Sequence, residues 1–203
     1  MTKAERALET RERILTAACE VIADIGFENI SMRKVAEHAG VSKALLHYHF
    51  DTREKLFAEA MTHSFAQTGL DTEDDTGSVP AAVVLARILR SMLPTDEELR
   101  QDWKLWQELW VRAQRDPAAR HLAVDLYEQL HAWVAGAVER GIASGEFRPC
   151  DVAALGTLVL ALCDGLGIRV MLDDPRVDLA TARSVIWRTI APALGIPPEF
   201  PEI

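Results

Sequence analysis

The sequence predicts an all-α protein, and three observations predict it. Apolar residues recur at helical spacing. The breaks between those runs are Gly, Pro and N-capping Ser, Thr or Asp. No stretch alternates apolar and polar residues over a useful strand length. Apolar residues make up 49% of the 203, enough for a sizeable core and against global disorder. About nine helices with short connections are expected.

The elements follow in order. Residues roughly 5–25 place Ile14, Ala18, Val21, Ile22 and Ile25 on one face and stop at Gly26. Ser31 caps a short second helix with Val35, Ala36 and Ala39 inward, and Gly40 ends it. Ser42 caps the third helix. Asp51 or Thr52 caps a fourth, which runs to about Gln67. The stretch "GLDTEDDTGSVP", 69–80, reads as an acidic loop. Helices are then expected near 80–93, 96–114, 117–144, 151–172 and 178–194, with breaks at Pro94, Pro117, the 141–149 stretch and Pro175. A boundary near residue 50 divides a small domain, 1–50, from a larger one, 51–203, which holds all five Trp residues.

Charge is distributed unevenly. Of 22 basic and 31 acidic residues, nine of each fall in residues 1–55. The remaining 13 and 22 give the rest of the chain the whole net charge of −9. A neutral front on an acidic body fits a nucleic-acid-facing end. Cys19, Cys150 and Cys163 are scattered without a C-x-x-C pair, against a disulfide framework or structural zinc. No apolar leader run opens the chain, so a cytoplasmic protein is expected. Residues 155–172 are long enough to raise a membrane span, but Asp164 and Arg169 interrupt them and no second span exists. They read as a buried helix, apolar on most sides.

The front of the chain carries the sharpest signal. A helix, a Gly-containing turn and a second short helix, "VSKALLHYHF" at 41–50, form a helix-turn-helix outline. In that motif the second helix enters the major groove of DNA. Leu46 and Phe50, four apart, share the face that packs inward. Lys43 and His47 share another, with Leu45, Tyr48 and His49 around the remainder. Lys43 suits guanine O6/N7 or phosphate, Leu45 a thymine methyl, and His47 and Tyr48 bases or phosphates. Arg33, Arg53 and Lys55 would grip the backbone on either side, with amide donors at the helix starts near Ser31 and Thr52. A metal shared by His47 and His49 is excluded, because positions i and i+2 point about 200° apart on a helix.

The stretch "ISMRKVAEHAGVSKALLHYHFDTREKLF", 30–57, resembles the DNA-binding domain of TetR-family transcriptional regulators. The features are the polar cap, "VA..AGVS", the Tyr48-His49-Phe50 helix end and the charged start before Leu56-Phe57. Ala44 stands where the family often has Gly, and His47 where it is often aromatic. The resemblance implies DNA-contacting roles for Arg33, Lys43, Ala44, Leu45, His47, Tyr48, His49 and Arg53. It also implies a homodimer whose C-terminal domain binds an effector.

The larger domain agrees on its own terms. Trp103, Trp106, Gln107 and Trp110 fall on one helical stripe, which is either a bulky core or the wall of a pocket. Asp164 is an acid in an apolar helix. It either makes a structural hydrogen bond to a neighbouring helix or the dimer mate, or serves as counter-charge for a cationic effector beside Trp rings such as Trp133. Gly165 and Gly167 suggest close approach by another helix, and helices 151–172 and 178–194 are expected to form the dimer interface. The "DGL" helix and the "LW..LW..A..DP" run resemble, more loosely, the BetI-like branch of the family, whose namesakes govern choline–betaine genes. The effector is left open.

The expected protein is therefore a ligand-responsive repressor. It would bind a palindromic double-stranded operator as a homodimer and be released by a small molecule, with no membrane, metal or cofactor. A TetR-like activator or an effector-independent regulator is the alternative. An all-helical enzyme is the more distant one: its candidate acids, Glu73, Asp74 and Asp75, then Asp173 and Asp174, lack matching His or carboxylate clusters, and no nucleophile elbow or phosphate loop is present.

Overall fold

A computed structural model describes residues 2–67 and 79–201. The acids Glu73, Asp74 and Asp75, with most of the 69–80 stretch, lie outside the described residues. Among those described there are nine α-helices, one 3₁₀ turn and no strand. The helices are α1 (Lys3–Ile25), α2 (Met32–His38), α3 (Lys43–His49), α4 (Arg53–Gln67), α5 (Ala81–Ser91), α6 (Glu97–Ala113), α7 (Pro117–Ala143), α8 (Val152–Met171) and α9 (Leu179–Leu194). The all-α expectation holds, and the expected helix bounds agree to within two residues.

The starts and stops have local causes. Thr2 and Glu5 form a capping box at the head of α1. Gly26 closes α1 at φ 76°, in the left-handed region open to glycine. Ser31, Ser42, Asp151 and Asp178 cap α2, α3, α8 and α9 through their side chains. Thr52 is the cap of α4, its hydroxyl accepting from the Lys55 amide at 3.1 Å. Pro192, not anticipated as a feature of α9, sits inside its last turn.

The described residues pack as two units. The first takes in α1–α4 with residues 101–126. Its core gathers Ile14, Ala18 and Ile22 of α1 with Phe27, Val35, Leu46, Phe50, Leu56 and Phe57, all 2% exposed or less. α4 packs along α1, where Arg11 pairs with Glu59 and the Cys19 thiol donates to the Ala60 carbonyl. The second unit takes in α5, α8, α9 and residues 127–143 of α7. Leu85, Leu89, Val134, Val138, Val159, Ile186, Trp187 and Ile190 are buried together there. The Trp187 indole donates to the Pro197 carbonyl at 3.0 Å, which satisfies its polar edge inside that core.

One expectation about α8 needs correction. It is not buried on most sides within the chain. Leu155, Val159, Leu160, Cys163 and Val170 face the core, while Leu158, Ile168 and the following Leu172 stay exposed. Within the chain, a Cβ added at Gly165 would meet nothing within 4 Å, and Gly167 is buried. A close approach within the chain falls at Gly156, where a Cβ would come 2.6 Å from the His131 imidazole of α7. Among the described residues, α8 is the one helix long and apolar enough to cross a membrane, with mean hydropathy 1.7.

Candidate functional site

The front surface is built on α2, the turn and α3. The turn closes because Gly40 adopts φ 63° and the Val41 amide donates to the Ala36 carbonyl at 2.9 Å. The Ser42 hydroxyl accepts from the Leu45 amide at 3.1 Å and starts α3. Leu46 and Phe50, both 0% exposed, lock α3 against the body. Lys43, Ala44, Leu45, His47 and Tyr48 are consequently turned out to solvent. Tyr48 is 80% exposed, and half-buried His49 stands edge-on to it at 5.2 Å between centroids.

The flanking cations lie at the starts of their helices. Arg33 is exposed and pairs with Glu37 one turn on, at 3.0 Å. Lys55 is 3.7 Å from Asp51. Arg53 is within 3.2 Å of Glu54 and 3.9 Å of Glu28, and its guanidinium lies 4.7 Å from the Phe27 ring centroid. These surface pairs are weak and exchangeable, so a phosphate can replace the carboxylates. The hydroxyls of Ser31 and Thr52 already accept from amides of their own helices.

The Phe27 ring also meets Arg112 of α6, 4.0 Å from the centroid. Glu108, one turn before it, accepts from the Phe27 amide at 3.0 Å. α6 also carries the tryptophan stripe. Trp103 is 6% exposed, and Trp106, Gln107 and Trp110 are half-buried. The rings of Trp103 and Trp110 meet at 5.9 Å, those of Trp106 and Trp110 at 6.1 Å, and Phe65 stands edge-on to Trp106 at 6.4 Å. All four stripe residues belong to the first unit, whereas Trp133 and Asp164 belong to the second.

Asp164 is half-buried and accepts a hydrogen bond from the Tyr127 hydroxyl of α7 at 2.6 Å. Burial pushes its carboxyl above the ordinary carboxylate range, and the Tyr127 bond opposes that shift. Trp133 lies partly buried against the second core. Among the described residues no group of three or more His, Cys, Asp or Glu could hold a metal ion. The Cys19 thiol is pushed up to about 12, chiefly by burial and then by Asp102 and Glu20, which makes it unreactive.

The whole-chain comparisons point the same way as this surface. Residues 14–60 match the family of bacterial regulatory proteins, tetR family, and residues 81–195 match the BetI-type transcriptional repressor, C-terminal family. The chain belongs to the TetR family. Its C-terminal part is of the BetI type, and it is a transcriptional regulator rather than an enzyme. The BetI regulator of Agrobacterium fabrum is 26% identical over 184 residues, covering 87% of this chain and 84% of its own. Among solved structures, a transcriptional regulator from Saccharomonospora viridis in complex with choline is 29% identical with a TM-score of 0.80. The match covers 92% of this chain and 97% of that one. A TetR-family regulator from a Rhodococcus species gives 27% identity and a TM-score of 0.81 over 92% and 98% of the two chains.

Two features of this TetR-family chain escaped the reading of its sequence. Tyr127 was not paired with Asp164, the lone carboxylate of α8, because the two lie 37 residues apart on different helices. The double cation contact on Phe27 was also missed. Its signal was Glu108 and Arg112 at i and i+4, on the flank of the tryptophan stripe.

Proposed function

We propose that this regulator is a cytoplasmic repressor that binds a palindromic operator as a homodimer and leaves it when a small molecule binds. Residues 1–50 read the DNA, and residues 51–203 bind the effector and dimerise. In this reading α3 lies in the major groove, with Lys43, Ala44, Leu45, His47, Tyr48 and His49 toward base edges and phosphates. Arg33, Arg53 and Lys55, with the helix starts at Ser31, Ser42 and Thr52, hold the backbone on either side. The observation that carries the reading is the two-faced geometry of α3. Leu46 and Phe50 are fully buried while Tyr48, between them in sequence, is 80% exposed. A seven-residue helix that spends its aromatic on solvent gains nothing from it in the isolated chain.

A dimer is supported by α8. Ala154, Leu158, Ala161, Gly165 and Ile168, with the following Leu172, form an exposed apolar stripe spaced by three and four residues. Val185 adds to it from α9. Covering such a stripe with its two-fold mate would bury it and place two recognition helices on successive half-sites.

For the effector, a small cation is the class favoured here. The Tyr127–Asp164 pair offers a carboxylate in the second unit, and Trp106 and Trp110 offer half-buried indole faces in the first. Both suit an ammonium group. Choline, present in the Saccharomonospora viridis relative, is the first compound to test. The ring contacts of Trp103, Trp106 and Trp110 favour a second reading of the stripe as closed core, in which the effector uses Trp133 and Asp164 without it.

The test is fluorescence anisotropy of the purified protein on the intergenic DNA beside its own gene, at two salt concentrations, followed by a cation screen. Two chains per palindrome, weakening with salt and released by a cation, are expected. Unchanged binding after Tyr48→Ala and Arg33→Ala would defeat the DNA assignment.

A further inference from the structure

Of the three flanking cations assigned to the operator backbone, Arg53 is the most enclosed. Its side chain is 35% exposed, against 51% for Lys55 and 78% for Arg33. Glu54 at 3.2 Å and Glu28 at 3.9 Å share its guanidinium with the Phe27 ring, whose centroid is 4.7 Å away. A phosphate can displace the two carboxylates, because exposed ion pairs are weak. It cannot displace the ring, which is buried in the core. Arg53 therefore meets a phosphate with less side-chain freedom left to lose than an unstacked arginine has.

Phe27 is itself placed by α6, which lies outside the matched stretch 14–60. Glu108 accepts from the Phe27 amide at 3.0 Å. The approach is tight, since a Cβ on Gly26 would come 3.1 Å from the Glu108 carboxylate. One turn on, the Arg112 guanidinium lies 4.0 Å from the Phe27 centroid and 5.6 Å from that of Phe57. The two rings meet edge-on at 4.9 Å. A second bare cation on Phe27 would repel Arg53, but Asp116 pairs with Arg112 at 2.7 Å and offsets its charge. Asp116 also accepts from the Ala118 amide at the start of α7, and Arg120 donates to the Ala113 and Gln114 carbonyls at the end of α6. Arg112 is thus fixed on a closed corner. Its field reaches Glu54 too. That carboxyl lies below the ordinary range, held there first by its own backbone amide and then by Arg53 and Arg112.

We propose that Arg112 is a positioning residue for operator binding: it fixes the Phe27 ring and so holds the Arg53 guanidinium ready for a phosphate. The proposal rests on the reading of Arg53 as a backbone contact. Arg112 itself touches no DNA. It raises affinity by removing freedom from Arg53 before the encounter, not by adding a contact. Its effect must therefore vanish when Arg53 is absent. A purely structural role, or a long-range charge effect, would persist.

The test is a double-mutant cycle on the full-length protein. Wild type, Arg53→Gln, Arg112→Gln and the double variant are titrated by fluorescence anisotropy on the intergenic duplex beside the gene, across a salt series. Arg53→Gln weakens binding and makes the slope of log Kd against log salt shallower by about 0.9, the share of one phosphate. Arg112→Gln weakens binding by about twofold or more when Arg53 is present and changes nothing when it is Gln. Arg115→Gln, which removes the charge of an exposed arginine three residues on, binds as wild type. Thermal melts check that each variant is folded at the titration temperature. If Arg112→Gln is not, Arg112→Lys takes its place; it keeps the charge without the planar stack, and its smaller loss is again absent without Arg53. Equal losses with and without Arg53, no loss at all, or an equal loss from Arg115→Gln overturn the proposal and leave the reading of Arg53 standing. If Arg53→Gln alters neither affinity nor slope, that reading fails and the proposal falls with it.

Discussion

Helices α3 and α6 both crowd aromatic and polar side chains onto a few turns, and they use them in opposite ways. α3 turns its aromatic out, with Tyr48 80% exposed above the fully buried Leu46. α6 turns its aromatics onto one another, with Trp103 6% exposed and ring contacts near 6 Å along the stripe. The difference teaches where function can be read from packing. A buried indole is accounted for by the area it withdraws from water. An exposed tyrosine on a seven-residue helix is not, so its account lies with a partner.

The largest effect should come from the inward side of α6. Trp103→Ala is expected to cost about 3–5 kcal/mol, as for other buried aromatics, read by urea denaturation. Trp106→Ala should cost clearly less, because its half-buried ring has water on one side. Equal costs would mean that the stripe is uniform core and would remove Trp106 from any ligand site.

The same contrast can be drawn inside α3. Leu46→Ala should lose about 2–5 kcal/mol of stability. Tyr48→Ala should stay within about 0.5 kcal/mol, as exposed substitutions do, and yet lose operator affinity. A Tyr48 variant that melts early would place its ring in the core and break the comparison.

What was legible in the sequence follows the same line. The helices could be read because their caps are local. Ser31, Ser42 and Asp178 announce helix starts within three residues of the amides they bind. The inward and outward faces of α3 could be read because helical phase alone separates Leu46 and Phe50 from Tyr48. Long-range partnerships were not legible. The bond from Tyr127 to Asp164 spans 37 residues, and the contact of Arg112 with Phe27 depends on how α6 meets the first unit's core. The exposed face of α8 was misjudged for a related reason. Composition reports that Leu158, Ile168 and Leu172 are apolar, not whether this chain or a second copy covers them.

A smaller effect is expected at the head of α3. Ser42→Ala removes the hydroxyl that accepts from the Leu45 amide and should cost about 1 kcal/mol, whereas Ser42→Gly should cost only about a few tenths. If Ser42 also serves the operator through its helix start, the Ala variant should weaken binding by more than its melting explains.

The last and smallest effect carries the comparison to α8, where one polar group is half withdrawn from water. Burial holds the Asp164 carboxyl above the ordinary carboxylate range, against the pull of the Tyr127 hydroxyl. The folded chain therefore holds that proton more tightly than the unfolded chain does. The contribution to stability is fully present below the ordinary carboxylate value and is lost as pH rises through the raised folded value. Asp164→Asn has no proton to lose, so denaturation across a pH series should show the variant gaining on wild type over that window. A flat difference would mean that water reaches the carboxyl freely. A cation bound beside Asp164 reverses the balance, because it favours the ionised form. Its affinity should rise through the same window with release of a proton, while a ligand held by the indoles of α6 alone should bind with no such dependence.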